Sequence, residues 1–80
     1  MDTDKSIFEL VDYGKIVIDV KTLMDNKNLT INQVVKRTGI HHRIITKYYN
    51  GDVTRYDGDT LAKLCYVLEC DVKDIMLYQK

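Results

Sequence analysis

Apolar residues recur at helical spacing over most of the chain beyond residue 18, which predicts amphipathic helices. Three of these helices have clear start signals: Asp19 caps one, another begins at Asp59 or Thr60, and Asp71 caps the last. Their apolar positions, which we expect to face the core, are Val20, Leu23, Met24, Leu61, Leu64, Cys65, Leu68, Val72, Ile75 and Met76. The pattern therefore predicts a small helical domain.

The most informative segment is residues 30–51, which predicts two short helices around a glycine turn. The side chains of Thr30 and Gln33 form a capping box at the start of the first helix, and Gly39 permits the left-handed backbone that ends it. A second helix over about residues 41–50 buries one apolar face, formed by Ile40, Ile45 and Tyr48. Two helices joined in this way are typical of a DNA-reading motif.

The N-terminal residues 1–18 differ from the rest in pattern. A capping signal and an apolar face predict a short helix over residues 7–13, which Gly14 would end. The β-branched run within residues 15–19 favours an extended segment instead. Such a strand needs a partner, and two are open: the same strand of a second subunit, or residues 76–79.

Residues 30–51 resemble the helix-turn-helix of the Cro/C1 (Xre-like) repressor family. The resemblance is carried by the helix start at Thr30, the turn at Gly39, the aliphatic Ile45 and the Asn50-Gly51 end, and TLAKLCYVLECDVKDIMLY resembles the family's last two helices. It implies an all-α fold: a five-helix Cro/C1-repressor-like DNA-binding bundle over residues 19–80, as in small single-domain members. Residues 1–18 would be a short helix and strand extension and a possible dimer contact.

Three positions depart from the family pattern. Ile31 stands where the family usually has a glutamine that contacts phosphate, Val35 stands where it usually has alanine, and Ile44 stands where it prefers a small or polar residue. The first removes one expected phosphate contact, and the third makes the surface that faces the bases more apolar.

The resemblance and the chemistry of the side chains nominate two sets of DNA-contacting residues. The predicted base-reading residues are His42, Arg43, Ile44, Thr46 and Lys47. The predicted phosphate-binding residues are Asn32, His41, Tyr49, Asn50, Thr54 and Arg55. Arg43 leads the first set because its guanidinium can hold O6 and N7 of one guanine together. For His42, Arg43, Thr46 and Lys47 the alternative is an ordinary solvated helix face, and for Ile44 it is burial of part of its surface against the first helix of the motif.

The formal net charge is zero, which is unfavourable for a nucleic-acid binder, but the charges are unevenly distributed. Residues 1–19 sum to −3, residues 20–56 to +5 and residues 57–80 to −2. The positive block coincides with the predicted helix-turn-helix, so its field should orient that face toward DNA.

These observations predict a sequence-specific, double-stranded DNA-binding transcriptional regulator that acts as a homodimer. The family that it resembles is one of repressors, and the sequence leaves activator and repressor both open. A domain this small is marginally stable alone, which favours association with a second copy. The alternative is a helix-turn-helix protein-interaction module, such as an antitoxin or an accessory to another regulator. Neutral overall charge and the missing glutamine favour this alternative.

Other classes find little support. The chain has one serine and no phosphate-cradling glycine loop, so we expect neither an enzyme nor a cofactor. Residues 1–10 lack the basic start and hydrophobic centre of a secretory signal, and no stretch is apolar enough for a membrane span, so the expected location is cytoplasmic. With no linker apparent, we expect no small-molecule effector domain.

Histidines, cysteines and tyrosines receive structural interpretations. His41 and His42 are adjacent and cannot clamp one metal ion from a helix, and Cys65 and Cys70 lack the spacing of a zinc knuckle. The cysteines are expected to be small buried residues. The tyrosines expected to pack with a hydrogen-bonded tip are Tyr48, Tyr66 and Tyr78.

Overall fold

The computed structural model describes residues 11–80, which form five helices and two short strands. In chain order these are β1 (Lys15–Ile18), α1 (Val20–Asn26), α2 (Ile31–Thr38), α3 (His42–Asn50), α4 (Gly58–Leu68), α5 (Val72–Ile75) and β2 (Met76–Gln79). The five helices agree with the predicted bundle. The predicted all-α fold class is wrong, because the structure also contains the two strands. No helix among residues 11–80 is long and apolar enough to cross a membrane.

The two strands form an antiparallel sheet that joins the two ends of the described chain. Lys15 pairs with Gln79 and Ile18 with Met76. Of the two partners proposed for this strand, residues 76–79 are therefore the one observed. Gly14 turns the chain into β1 with a φ of 79°, and a Cβ there would lie 2.6 Å from the carbonyl oxygen of Gln79. Glycine is therefore required at this close approach.

The helix predicted over residues 7–13 can be compared with the structure only at residues 11–13, and there the prediction is wrong. Residues 7–10 lie outside the described residues, and residues 11–13 are not helical.

Three helix starts follow from side-chain caps. Asp19 accepts a hydrogen bond from the backbone N–H of Thr22 at 3.3 Å. Thr30 and Gln33 form the expected reciprocal capping box, with bonds of 3.2 and 2.8 Å. Helix α4 begins at Gly58, earlier than the predicted Asp59 or Thr60. Its cap is Asp57, which accepts hydrogen bonds from both the backbone N–H and the hydroxyl of Thr60 at 3.0 Å. Those two bonds lower the pKa of Asp57.

The C-terminal helix is shorter than its apolar pattern implied. Only Val72–Ile75 are helical, and Met76 already begins β2. Ile75 is fully buried, whereas Val72, which we expected to face inward, is 49% exposed. The helix stops early because Asp19 N–H bonds to the carbonyl of Ile75, drawing the chain into the sheet.

The core is one cluster contributed by every helix and by β1. Its buried apolar members are Ile18, Val20, Met24, Val34, Ile40, Ile45, Tyr48, Leu64, Leu68 and Ile75. Helix α2 packs against both α3 and α4, and α1 packs against α3. The core therefore fixes α3 from two sides and leaves its remaining face to solvent.

Of the three tyrosines predicted to pack, only Tyr48 is buried. Tyr48 is buried as expected, and burial raises its pKa. Tyr66 is 85% exposed and Tyr78 is 64% exposed, so packing is the wrong interpretation for Tyr66 in particular. Both cysteines are free and half-buried. Burial, with Cys65 alongside, raises the pKa of Cys70 to about 11, so the thiol is protonated and unreactive at neutral pH.

Candidate nucleic-acid interface

The turn between α2 and α3 sets the direction of the second helix. Gly39 is left-handed, with a φ of 73°, and its N–H bonds to the carbonyl of Val35 at 2.8 Å. The hydroxyl of Thr38 donates to the carbonyl of Val34 and accepts from the N–H of Ile40 at 3.1 Å. These bonds leave little freedom at the junction, and the orientation of α3 relative to α2 follows from them.

Helix α3 is anchored by one face and open on the other. Ile45 is fully buried, Tyr48 is 3% exposed, and Ile40 in the preceding turn is 8% exposed. The exposed residues of the opposite face are His42, Arg43, Ile44, Lys47 and Asn50. Neither of the two salt bridges found among residues 11–80 involves α3, so its cations are not neutralised within the protomer.

His41 has a position that the sequence interpretation did not anticipate. Its Nδ1 accepts a hydrogen bond from the backbone N–H of Arg43 at 3.0 Å, which makes His41 the N-cap of α3. A backbone N–H can only donate, so Nδ1 carries a lone pair and the proton of the neutral ring is on Nε2. His41 therefore holds the first turn of α3, from which Arg43 projects, and presents an N–H donor to solvent.

Thr46 and His42 are linked one turn apart. The Thr46 hydroxyl donates to the carbonyl of His42 at 2.9 Å and lies 3.4 Å from His42 Nδ1. The hydroxyl proton is thus used within the helix, and Thr46 is half-buried. What it offers outward is its oxygen lone pair and its methyl group. Of the predicted base-reading residues, it is the least accessible.

The predicted phosphate-binding residues fall into two groups: one beside α2 and the groove that it forms with α3, and one at the C-terminal end of α3 and in the loop that follows it. Asn32, at the start of α2, and Tyr49 line a shallow groove of about 420 Å³ together with His42. His41 is close by in sequence at the N-terminus of α3. Asn50, Thr54 and Arg55 are all exposed, at the end of α3 and in the loop that follows it.

Tyr49 is held by the protein itself. Its hydroxyl donates to Asp25 Oδ1 at 3.0 Å, and Lys21 Nζ lies 5.8 Å from the centre of its ring. The hydrogen bond to Asp25 raises the pKa of Tyr49, since ionisation would lose that bond and place two negative charges together. The donor expected for a phosphate is therefore already in use, and Asp25 adds negative charge to this groove.

The geometry is that of a short helix packed on the core by one face, with Arg43 in its first turn and Lys47 in its last. Comparison with known proteins agrees with it. The sequence model of the Cro/C1-type HTH DNA-binding domain matches residues 20–80. The chain belongs to the Cro/C1-type helix-turn-helix family. Members of this family are DNA-binding domains, and α2 and α3 are the helices of the motif.

The solved structure of another protein has the same fold as this Cro/C1-type chain. It is the crystal structure of a protein from Bacteroides fragilis, described as a putative DNA-binding protein, with a TM-score of 0.68. The match covers 79% of this chain and 100% of that chain, at 16% sequence identity. No curated protein sequence matches. Among residues 11–80, no group of three or more histidine, cysteine or acidic side chains is placed to hold a metal ion.

Proposed function

We propose that this protein is a sequence-specific transcriptional regulator that binds double-stranded DNA as a homodimer, with α3 in the major groove. The observation that carries the proposal is the exposed face of α3, which holds Arg43 and Lys47 uncovered on a helix fixed by the core. An α-helix of this kind fits the major groove of B-DNA. Two such helices would occupy half-sites about 34 Å apart.

Each exposed residue of α3 has a distinct proposed role. Arg43 reads a guanine through its two parallel donors, and Ile44, which is 41% exposed, contacts a thymine methyl group. Lys47 reaches a base or a phosphate, and His42 contacts a base edge. Thr46 contributes its methyl group because its hydroxyl donor is used within the helix.

Phosphate contacts are proposed at both ends of α3. At the N-terminal end, Asn32 supplies an amide in place of the missing glutamine, and His41 donates from Nε2. At the other end, Asn50, Thr54 and Arg55 contact the backbone without regard to sequence. Tyr49 takes part only if its hydroxyl exchanges Asp25 for a phosphate.

Salt dependence tests this proposal. After selection of bound duplexes from random DNA, binding is measured by fluorescence anisotropy at increasing KCl. Counterion release predicts a log–log slope of about −0.9 for each phosphate contacted. Lys47→Ala should weaken binding, whereas Lys73→Ala, a matched exposed lysine on α5, should leave it unchanged. Absence of any duplex that binds, or binding that is insensitive to salt, would reject the proposal.

The alternative, a protein-interaction module, is favoured by the zero net charge and by Ile31 in place of a phosphate-contacting residue. It gives a different result in the same measurement. Such a module would yield no selected duplex, and the variants Lys47→Ala and Lys73→Ala would be indistinguishable on DNA. Location in the cytoplasm fits either function.

A further inference from the structure

The outward face of α4 carries the most exposed large apolar side chain of the described residues. Tyr66 is 85% exposed and stands between two open grooves, of about 970 and 330 Å³, that share Arg37, Tyr66 and Val67 in their walls. Burial of this side chain against a partner would remove a large apolar area from water, so a contact centred on Tyr66 would be stabilising.

Beyond Arg37, which lines both grooves, the charges on either side of Tyr66 have opposite signs. The smaller groove extends to Lys63, and the larger extends to Glu69, Asp71 and Asp74. Lys63 and Tyr66 lie one turn apart on α4, and Glu69, the left-handed residue that caps the end of the helix, follows three residues after Tyr66. The face is thus basic at one end, apolar in the middle and acidic at the other end.

We propose that this face of α4 is the homodimer interface and that its occupant is the same face of a second copy of the chain. Under a two-fold axis near Tyr66, the two α4 helices run antiparallel, and Lys63 of each protomer lies opposite Glu69 of the other. The surface is therefore complementary to itself. This inference rests on the proposed function, which requires a dimer, and it specifies how that dimer forms.

Two further observations fit this arrangement. Helix α2 lies against both α3 and α4, so association through the outer face of α4 leaves the exposed face of α3 free for DNA. Glu69 does bond to Lys27 Nζ within the protomer at 3.2 Å, but its side chain is 79% exposed. Such a surface pair is weak, so it does not prevent a second cation from approaching.

Sedimentation equilibrium of the full chain over a range of concentrations tests the proposal. The wild type should be a reversible dimer, and Tyr66→Ala should raise the dimer dissociation constant at least about tenfold, as expected for a central aromatic contact. Tyr78→Ala, at a tyrosine 64% exposed on β2, is the matched control and should leave the dimer unchanged. Thermal melting of both variants verifies that they fold.

Charge reversal provides a second, more specific test. Lys63→Glu and Glu69→Lys should each weaken the homodimer, since each puts like charges opposite one another in two places. Mixing the two single variants should give a heterodimer, and the double variant should recover the homodimer because both pairs are restored with inverted sign. These results are measured without DNA, so they are independent of the function proposed for α3.

Three outcomes would overturn the proposal. A wild type that is monomeric at about 100 μM would show that the surface does not associate usefully. A dimer unaffected by Tyr66→Ala would place the interface elsewhere, and failure of the mixed charge variants to associate would exclude the antiparallel pairing. A strict monomer that binds a duplex through α3 would leave the proposed DNA contact standing, while both the homodimer and this interface failed.

Discussion

The N-cap role of His41 predicts that its substitution changes stability and DNA affinity independently. The Nδ1 bond to the N–H of Arg43 satisfies one of the donors that a helix leaves unpaired at its N-terminus. Loss of a side-chain cap typically costs about 0.5–2 kcal/mol in the free energy of unfolding. His41→Ala should therefore destabilise the domain by about 1 kcal/mol, which for a domain of this size lowers Tm by about 4–8 °C.

His41→Asp separates the cap from the DNA contact. Aspartate is a strong N-cap and its charge interacts favourably with the helix N-terminus, so the Tm should equal or exceed that of the wild type. The same negative charge at the proposed phosphate contact should weaken DNA binding. Chemical denaturation measures the first property and anisotropy on a selected duplex the second. Unchanged stability for His41→Ala would refute the cap, and unchanged affinity for His41→Asp would refute the phosphate contact.

Three further predictions concern DNA contacts, acid stability and the sheet. Arg43→Ala should cost about 1–3 kcal/mol in binding and relax preference at one base pair, whereas Arg55→Ala should weaken all duplexes alike, as a comparison of selected and random DNA will show. The pKa of Asp57 is lowered in the folded state, so its contribution to stability is present above about pH 4 and is lost as the pH falls through the folded pKa. In thermal melts from pH 6 to 3, Asp57→Asn should therefore remove this part of the loss of stability in acid. Gly14→Ala should loosen the sheet by forcing a Cβ against the carbonyl of Gln79, which faster amide hydrogen exchange in β1 would reveal and unchanged exchange would contradict.

The helix-turn-helix itself was readable from the sequence because its signals are local. The capping box of Thr30 and Gln33 acts over three residues, and Gly39 needs only its own backbone freedom. The buried face of α3 also followed from helical spacing, with Ile45 and Tyr48 both in the core. Signals of this kind do not depend on distant parts of the chain.

The features that the sequence did not give depend on tertiary context. Residues 72–76 have a helical apolar pattern, yet Met76 is in a strand because it pairs with Ile18 of β1, which is distant in sequence. Packing is the usual role of a tyrosine and hence the prediction for Tyr66, and only the fold shows that its side of α4 faces outward. His41 as a cap was missed because histidine is rarely found in that position.

The central claim, that the exposed face of α3 contacts DNA, is tested most directly by NMR titration of the labelled protein with a selected duplex. We expect the signals of His42, Arg43 and Lys47 to shift most strongly, and the signal of Tyr66 on α4 to be the same in the free and the bound dimer. Shifts centred on α4 or on the sheet, with α3 unaffected, would contradict it.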